Sequence, residues 1–179
     1  MRKSPEPTTS ANAAVRLFLR FLLCYLAAVP IGVLLAARHC NAEADRMGTM
    51  VLLFVSLALL GAFLTVTMPY LLVLTVCKAF YDGKMLYCFT VQARTGDIGI
   101  FSWNACFFLV VLSAVLFVFS AAQAALFAFL YPQRDGKLLF SVPFGRYLLR
   151  ALLLCTSALL LYLLWPRIDA TLGLSFASH

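Results

Sequence analysis

The chain has 179 residues, 64% of them hydrophobic and only 12% charged, with 14 Lys and Arg against 7 Asp and Glu. Soluble domains are roughly half apolar and a quarter charged, so this composition excludes one, and its high hydropathy excludes a disordered chain. Six cysteines are too few for a disulfide-built scaffold, and with charges this sparse the excess of +7 does not describe a nucleic-acid surface.

Residues 1–14 form a polar tail carrying Arg2, Lys3, two prolines and several Ser and Thr. The first apolar stretch, 15–37, is longer than the roughly 7–15 apolar residues of a cleaved signal peptide, so a retained signal anchor is expected. Arg16 and Arg20 stand in its opening turns, and Pro30 with Gly32 marks a kink near its middle. A second stretch runs over 50–77. Its length of about 42 Å exceeds the roughly 30 Å hydrocarbon core, and Pro69 is its expected kink. A third covers 103–131, opened by Trp103. A fourth covers 146–165, opened by Arg146 and Arg150 and closed by Trp165-Pro166.

Only four charged residues fall inside these windows, and all four are arginines at the entrances of the first and fourth. A transmembrane barrel strand alternates apolar and polar residues, which Val51–Leu60 and Phe107–Phe119 do not. Helices therefore satisfy the backbone. The expected fold is an all-α, four-helix membrane bundle over 15–165, with a C-terminal tail at 166–179. Arg16, Arg20, Trp103, Arg146, Arg150 and Trp165 are its interfacial anchors. Four crossings put both ends on one side. Eight basic residues there against six on the other favour cytoplasmic termini. A secretory-pathway or plasma membrane is favoured, and the basic, acid-poor start also suits the mitochondrial inner membrane. The echo between Arg16–Cys24 and Arg146–Cys155 is read as two snorkelling arginine pairs on opposite leaflets.

The loop expected at 78–102 is unusually apolar, with Phe80, Tyr81, Met85, Leu86, Tyr87 and Phe89 among its charges. That points to packing on the bundle, the headgroups or a partner. Cys77, Cys88 and Cys106 border or occupy it. They are candidates for a disulfide if the loop is extracytoplasmic, or for acylation at Cys77 beside Lys78 if it is cytoplasmic. In the third span, Ser120, Ala121, Ala124 and Ala125 form overlapping small-xxx-small pairs around Gln123, the expected close-packing or partner face.

No span, so drawn, holds an ionisable residue away from its ends, which argues against an ion-coupled carrier. His39, Cys40, Glu43 and Asp45 offer at most a weak metal site, and Thr95–Gly99 lacks the lysine of a phosphate loop. No catalytic grouping, cofactor site or metal site is expected. The segment Cys88–Arg94 resembles the Cys-apolar-Thr opening of the amastin signature. It lacks the aromatic-glycine that follows there, and it stands after the second span rather than the first. MARVEL-type tetraspans are similar in size and span number alone, and the sequence assigns no family. The expectation is a non-catalytic subunit, scaffold or organiser of a membrane complex, in contact with lipids and with other subunits or copies of itself, and without nucleic acid. The alternatives are a transport or channel component and a small tetraspan surface protein.

Overall fold

The structure, a computed structural model, describes residues 7–36, 47–64, 66–96, 99–130 and 142–172. Among these residues it is all-helical: α1 is Pro7–Ala36, α2 Met47–Leu60, α3 Thr67–Thr95, α4 Ile100–Leu130 and α5 Val142–Leu172. Three helical segments are long and apolar enough to cross a membrane: Asn12–Ala36, Ile100–Phe129 and Phe144–Leu164. Gly48–Phe63 is a shorter apolar helix.

The stretch expected as one long second span is two helices. After α2, a 3₁₀ turn over Gly61–Phe63 leads to an extended Leu64, and α3 begins at Thr67. Pro69 sits in the first turn of α3, where its missing N–H would have had no helical partner. It therefore kinks nothing, and the chain has already reversed upstream. Tyr70 seals the reversal by donating its hydroxyl to the Leu57 carbonyl at 3.2 Å. Its ring lies so close over Gly61 that a Cβ there would come within 2.8 Å.

The apolar loop expected at 78–102 is corrected as well. Residues 78–95 are the second half of α3, and α4 begins at Ile100. Gly96, with φ at +86°, caps α3 by donating its N–H to the Gln92 carbonyl. Of the Thr95–Gly99 segment, Thr95 closes α3, Gly96 caps it and the Gly99 carbonyl accepts the Trp103 N–H at 3.0 Å; residues 97–98 lie outside the described residues.

Contacts between the helices set their directions. Trp103 meets Thr90 and Ser113 meets Lys78, so α4 runs antiparallel to α3. Phe54 faces Tyr81 while Tyr70 reaches Leu57, so α2 and α3 are antiparallel. Phe18 packs on Phe119 at 5.0 Å and Tyr25 reaches Asp82, which aligns α1 with α3. Tyr147 donates to the Leu59 carbonyl at 2.6 Å and Arg150 meets Gln123, so α5 opposes α2 and α4. Helices α1, α3 and α5 thus run one way, α2 and α4 the other. The start of α1 and the end of α5 lie at opposite ends of the bundle.

The tightest seam is α1 on α3. Ala28, Gly32 and Ala36 repeat every fourth residue on α1, as do Thr75, Ala79 and Gly83 on α3, and all six are buried. Small residues at this spacing let two backbones approach. A Cβ on Gly83 would stand 2.5 Å from the Val29 carbonyl oxygen, and one on Gly32 would stand 2.7 Å from the Phe80 backbone. Backbone cannot step aside as a flexible side chain can. Gly83→Ala is therefore expected to destabilise the protein by about 1–3 kcal/mol, read by unfolding in detergent. Gly145→Ala, where nothing stands within 4 Å of the added carbon, is the comparison expected to leave stability nearly unchanged.

Candidate functional site: a buried ion pair at the centre of the bundle

The α1–α3 seam carries α3 past the middle of α1 with Lys78 and Asp82 turned inward. The buried positions Leu71, Thr75, Lys78, Asp82, Met85 and Phe89 recur at three- and four-residue steps. This is a core stripe, and two of its members are charged. Lys78 is 1% exposed and Asp82 0%.

Lys78 and Asp82 are one turn apart, so their side chains meet on one face. The Lys78 ammonium donates to Asp82 Oδ1 at 2.5 Å and also to Oδ2. Its remaining donor reaches Ser113 Oγ on α4 at 3.0 Å, and the Ser113 hydroxyl in turn donates to the Val110 carbonyl at 2.9 Å. From α1, the Tyr25 hydroxyl donates to Asp82 Oδ2. The rings of Phe54 on α2 and Tyr81 on α3 lie 5.8 and 6.0 Å from the ammonium, within cation–π range. Four helices converge on one ion pair.

The energetics require this enclosure. A lysine or aspartate at the centre of a membrane helix costs about 2.5–3.5 kcal/mol on an insertion scale. Two unit charges about 4 Å apart recover roughly 4 kcal/mol at an effective dielectric of 20. Pairing therefore offsets much of the cost, and the Tyr25 and Ser113 hydrogen bonds supply more. All three ammonium donors are used and both carboxylate oxygens are occupied, so the cluster is closed. Beside it a cleft of about 320 Å³ opens between α1 and α3, lined by Gly32, Leu35, Ala36, Phe80, Tyr81 and Lys84.

The depth of the cluster is notable. Tyr25 lies near the middle of the Asn12–Ala36 segment, and Ser113 near the middle of Ile100–Phe129. The expectation that no ionisable residue lies deep in the helices is thereby overturned. Lys78 and Asp82 end the charge-free run in the sequence, yet they lie within α3.

The residues singled out from the sequence are distributed around this centre. Ser120, Ala121, Ala124 and Ala125 are buried on α4, and half-buried Gln123 accepts a hydrogen bond from Arg150 at 3.2 Å. Trp103 joins the two helices of the α3–α4 hairpin, donating to Thr90 Oγ1 at 3.3 Å and stacking on Phe107. Pro30 lies within α1 on its exposed side. Arg16, Arg20, Arg146 and Arg150 are all exposed. Cys77 is exposed on α3, while Cys88 and Cys106 are buried. Cys106 lies in a second apolar cluster with Met85, Phe89, Leu109 and Val110. The side chain of Trp165 lies outside the described residues, as do His39, Cys40, Glu43 and Asp45. Among the described residues no three His, Cys, Asp or Glu side chains group as metal ligands would.

Two signals in the sequence point to this centre. One is the Lys78/Asp82 pair at helical spacing, inside a stripe of core residues. The other is the pair of small-residue repeats on α1 and α3.

Removing one partner leaves the other charge buried alone. Lys78→Met is expected to destabilise the protein by about 3–5 kcal/mol, and Lys78→Met/Asp82→Leu by much less. Tyr25→Phe removes one hydrogen bond to a charged group and is expected to cost about 1.5–3 kcal/mol. Unfolding of the three purified variants in one detergent checks the order. Equal losses for the single and double lysine variants would refute the pairing.

Comparison of the chain with protein-family models, with curated proteins and with solved structures finds no match.

Proposed function

We propose that this chain is a non-catalytic multi-pass membrane protein, serving as a subunit or organiser of a larger membrane assembly. The observation that carries the reading is the closed polar centre. Lys78, Asp82, Tyr25 and Ser113 use their donors and acceptors on one another, and no charge in the cluster is left for a substrate. Such a centre selects one register among apolar helices that could otherwise slide. Helix α5 supports the same reading from outside. Only 11% of its Phe144–Leu164 window is buried, against 50% for α4, so most of its leucines face lipid or another protein.

In this reading all five helices cross the membrane. Helix α3 hides Lys78 and Asp82 inward, and Gly48–Phe63 spans about 24 Å at 1.5 Å per residue. An odd number of crossings puts the two chain ends on opposite sides, in place of the shared side expected from four. The long apolar first helix favours a secretory-pathway or plasma membrane.

The second reading, a transport component, draws on one observation. Ionisable residues at mid-depth are costly and mark ion or proton paths in many membrane proteins. The cleft beside Tyr81 and Lys84 would be its vestibule.

Blue-native electrophoresis after gentle solubilisation is expected to show a heteromeric or large assembly. A small homo-oligomer that carries flux in liposomes, abolished by Lys78→Met/Asp82→Leu, would favour transport instead. Tags placed before Pro7 and after Leu172 are expected to be accessible from opposite sides of the membrane. Accessibility from one side would exclude five crossings.

A further inference from the structure

Beside the glycine seam the surfaces of α1 and α3 part. Gly32 packs on the Phe80 backbone, and Gly83 lies against the backbone of Val29 and Val33. There the cleft of about 320 Å³ opens between the two helices. Gly32, Leu35 and Ala36 form its α1 wall, and Phe80, Tyr81 and Lys84 its α3 wall. Small-ligand pockets are roughly 300–1,000 Å³, with apolar walls and a few polar groups. This cleft has that make-up at the lower end of the range.

Helix α1 sets its height. The two helices run the same way and touch at Gly32 and Phe80, so one turn further along each brings Ala36 level with Lys84. Ala36 ends the Asn12–Ala36 segment, and the sequence turns basic at Arg38. In the membrane reading, Lys84 therefore stands where hydrocarbon gives way to headgroups, a level at which lysine snorkels. From there the cleft extends toward Gly32 and Phe80, into the apolar layer. Leu35 at its edge is 55% exposed, whereas Lys84 is half-buried.

The chemistry of the walls narrows the occupant. Among the described residues lining the cleft, Lys84 is the charged one. An ammonium is a compact point charge, suited to a head of one negative charge; the planar fork that grips phosphate at two points is arginine's. Leu35 and Phe80 call for an alkyl chain. Tyr81 lines the cleft too, and its ring lies 6.0 Å from the Lys78 ammonium. A chain seated here touches the outer wall of the ion pair's enclosure.

We propose that the α1–α3 cleft binds a long-chain fatty acid. Its carboxylate pairs with the Lys84 ammonium at the headgroup level, and the first part of its chain lies against Leu35, Phe80 and Tyr81. The rest of the chain continues into the bilayer. The proposal rests on the membrane reading above and is independent of whether the protein organises an assembly or carries flux.

The test irradiates the full chain in phosphatidylcholine nanodiscs with hexadecanoic acid bearing a diazirine near its carboxyl end, or with the matching hexadecanol. Peptide mass spectrometry maps the label. In the wild type the acid is expected to label the peptides holding Leu35 and Phe80 about tenfold more than the alcohol, the worth of one charge-assisted hydrogen bond. Lys84→Gln is expected to lower the acid to the alcohol's level, and Lys84→Arg to keep most of the preference. Arg94→Gln, an exposed charge farther along α3, is expected to change nothing. Leu35→Trp fills the mouth and is expected to reduce labelling by both probes. Helix content by circular dichroism identifies any variant that has failed to fold. On the wild type, unlabelled oleate is expected to displace the acid probe, and phosphatidylglycerol added to the discs is not. Equal labelling by acid and alcohol, a preference that survives Lys84→Gln, or displacement by phosphatidylglycerol as good as by oleate overturns the proposal and leaves the membrane reading intact. Failure to enter the discs at all sinks both.

Discussion

A lysine and an aspartate held in apolar surroundings must be enclosed, and the rest of this bundle is arranged around that requirement. Neither charge is tolerable there alone, because desolvation costs more than any single weak contact returns. The i,i+4 placement of Lys78 and Asp82 lets them neutralise each other on α3. The remaining donor and acceptor capacity is then met from α4 by Ser113 and from α1 by Tyr25. Each of those partners can reach the pair from only one relative position of its helix. A slide of one turn, about 5.4 Å, would leave a polar group unpaired in the core.

Glycine and the α2–α3 reversal make the approach possible. Tyr25 reaches Asp82 because α1 and α3 touch backbone to backbone at Gly32 and Gly83, with Val29 and Phe80 as the nearest neighbours. The reversal at Gly61–Val66 turns α3 back along α2, bringing Phe54 against the ammonium. On the far side, Tyr147 ties α5 to the Leu59 carbonyl, and its ring stacks on Phe127 at 4.4 Å. The centre is polar and hydrogen-bonded, the shell around it is aromatic and aliphatic, and the outermost surface is leucine-rich. That order inverts the one found in a soluble domain.

The sequence made the all-helical class and the apolar character of α1, α4 and α5 legible, because those helices keep charge to their ends. It concealed α3. Hydropathy averages over a window and treats every charge as exposed, whereas Lys78 and Asp82 lie inside the core stripe and compensate each other. The charge-free apolar run ends at Cys77, so the sequence pattern marks the second half of α3 as a loop. The reversal at Gly61 was hidden for the opposite reason: Gly61 to Val66 is as apolar as the helices on either side, so composition carried no boundary. Pro69 was noticed but given the wrong office, since a proline in a first turn starts a helix as readily as one in the middle bends it. With one helix split and one loop turned into helix, every later direction changed, including that of α5.

If α3 crosses the membrane, as proposed, the intrahelical placement of the ion pair also bears on how the chain enters it. Were the lysine on one helix and the aspartate on another, each helix would carry a bare charge into hydrocarbon before meeting its partner. On α3 the two charges travel together, with no net charge over that turn. The first helix has emerged by then and presents the Tyr25 hydroxyl, and α4 follows with Ser113. The zwitterion is therefore self-contained at insertion and gains its last two hydrogen bonds as the helices close. Charge neutrality is settled within one element, and only the choice of neighbours is left to assembly.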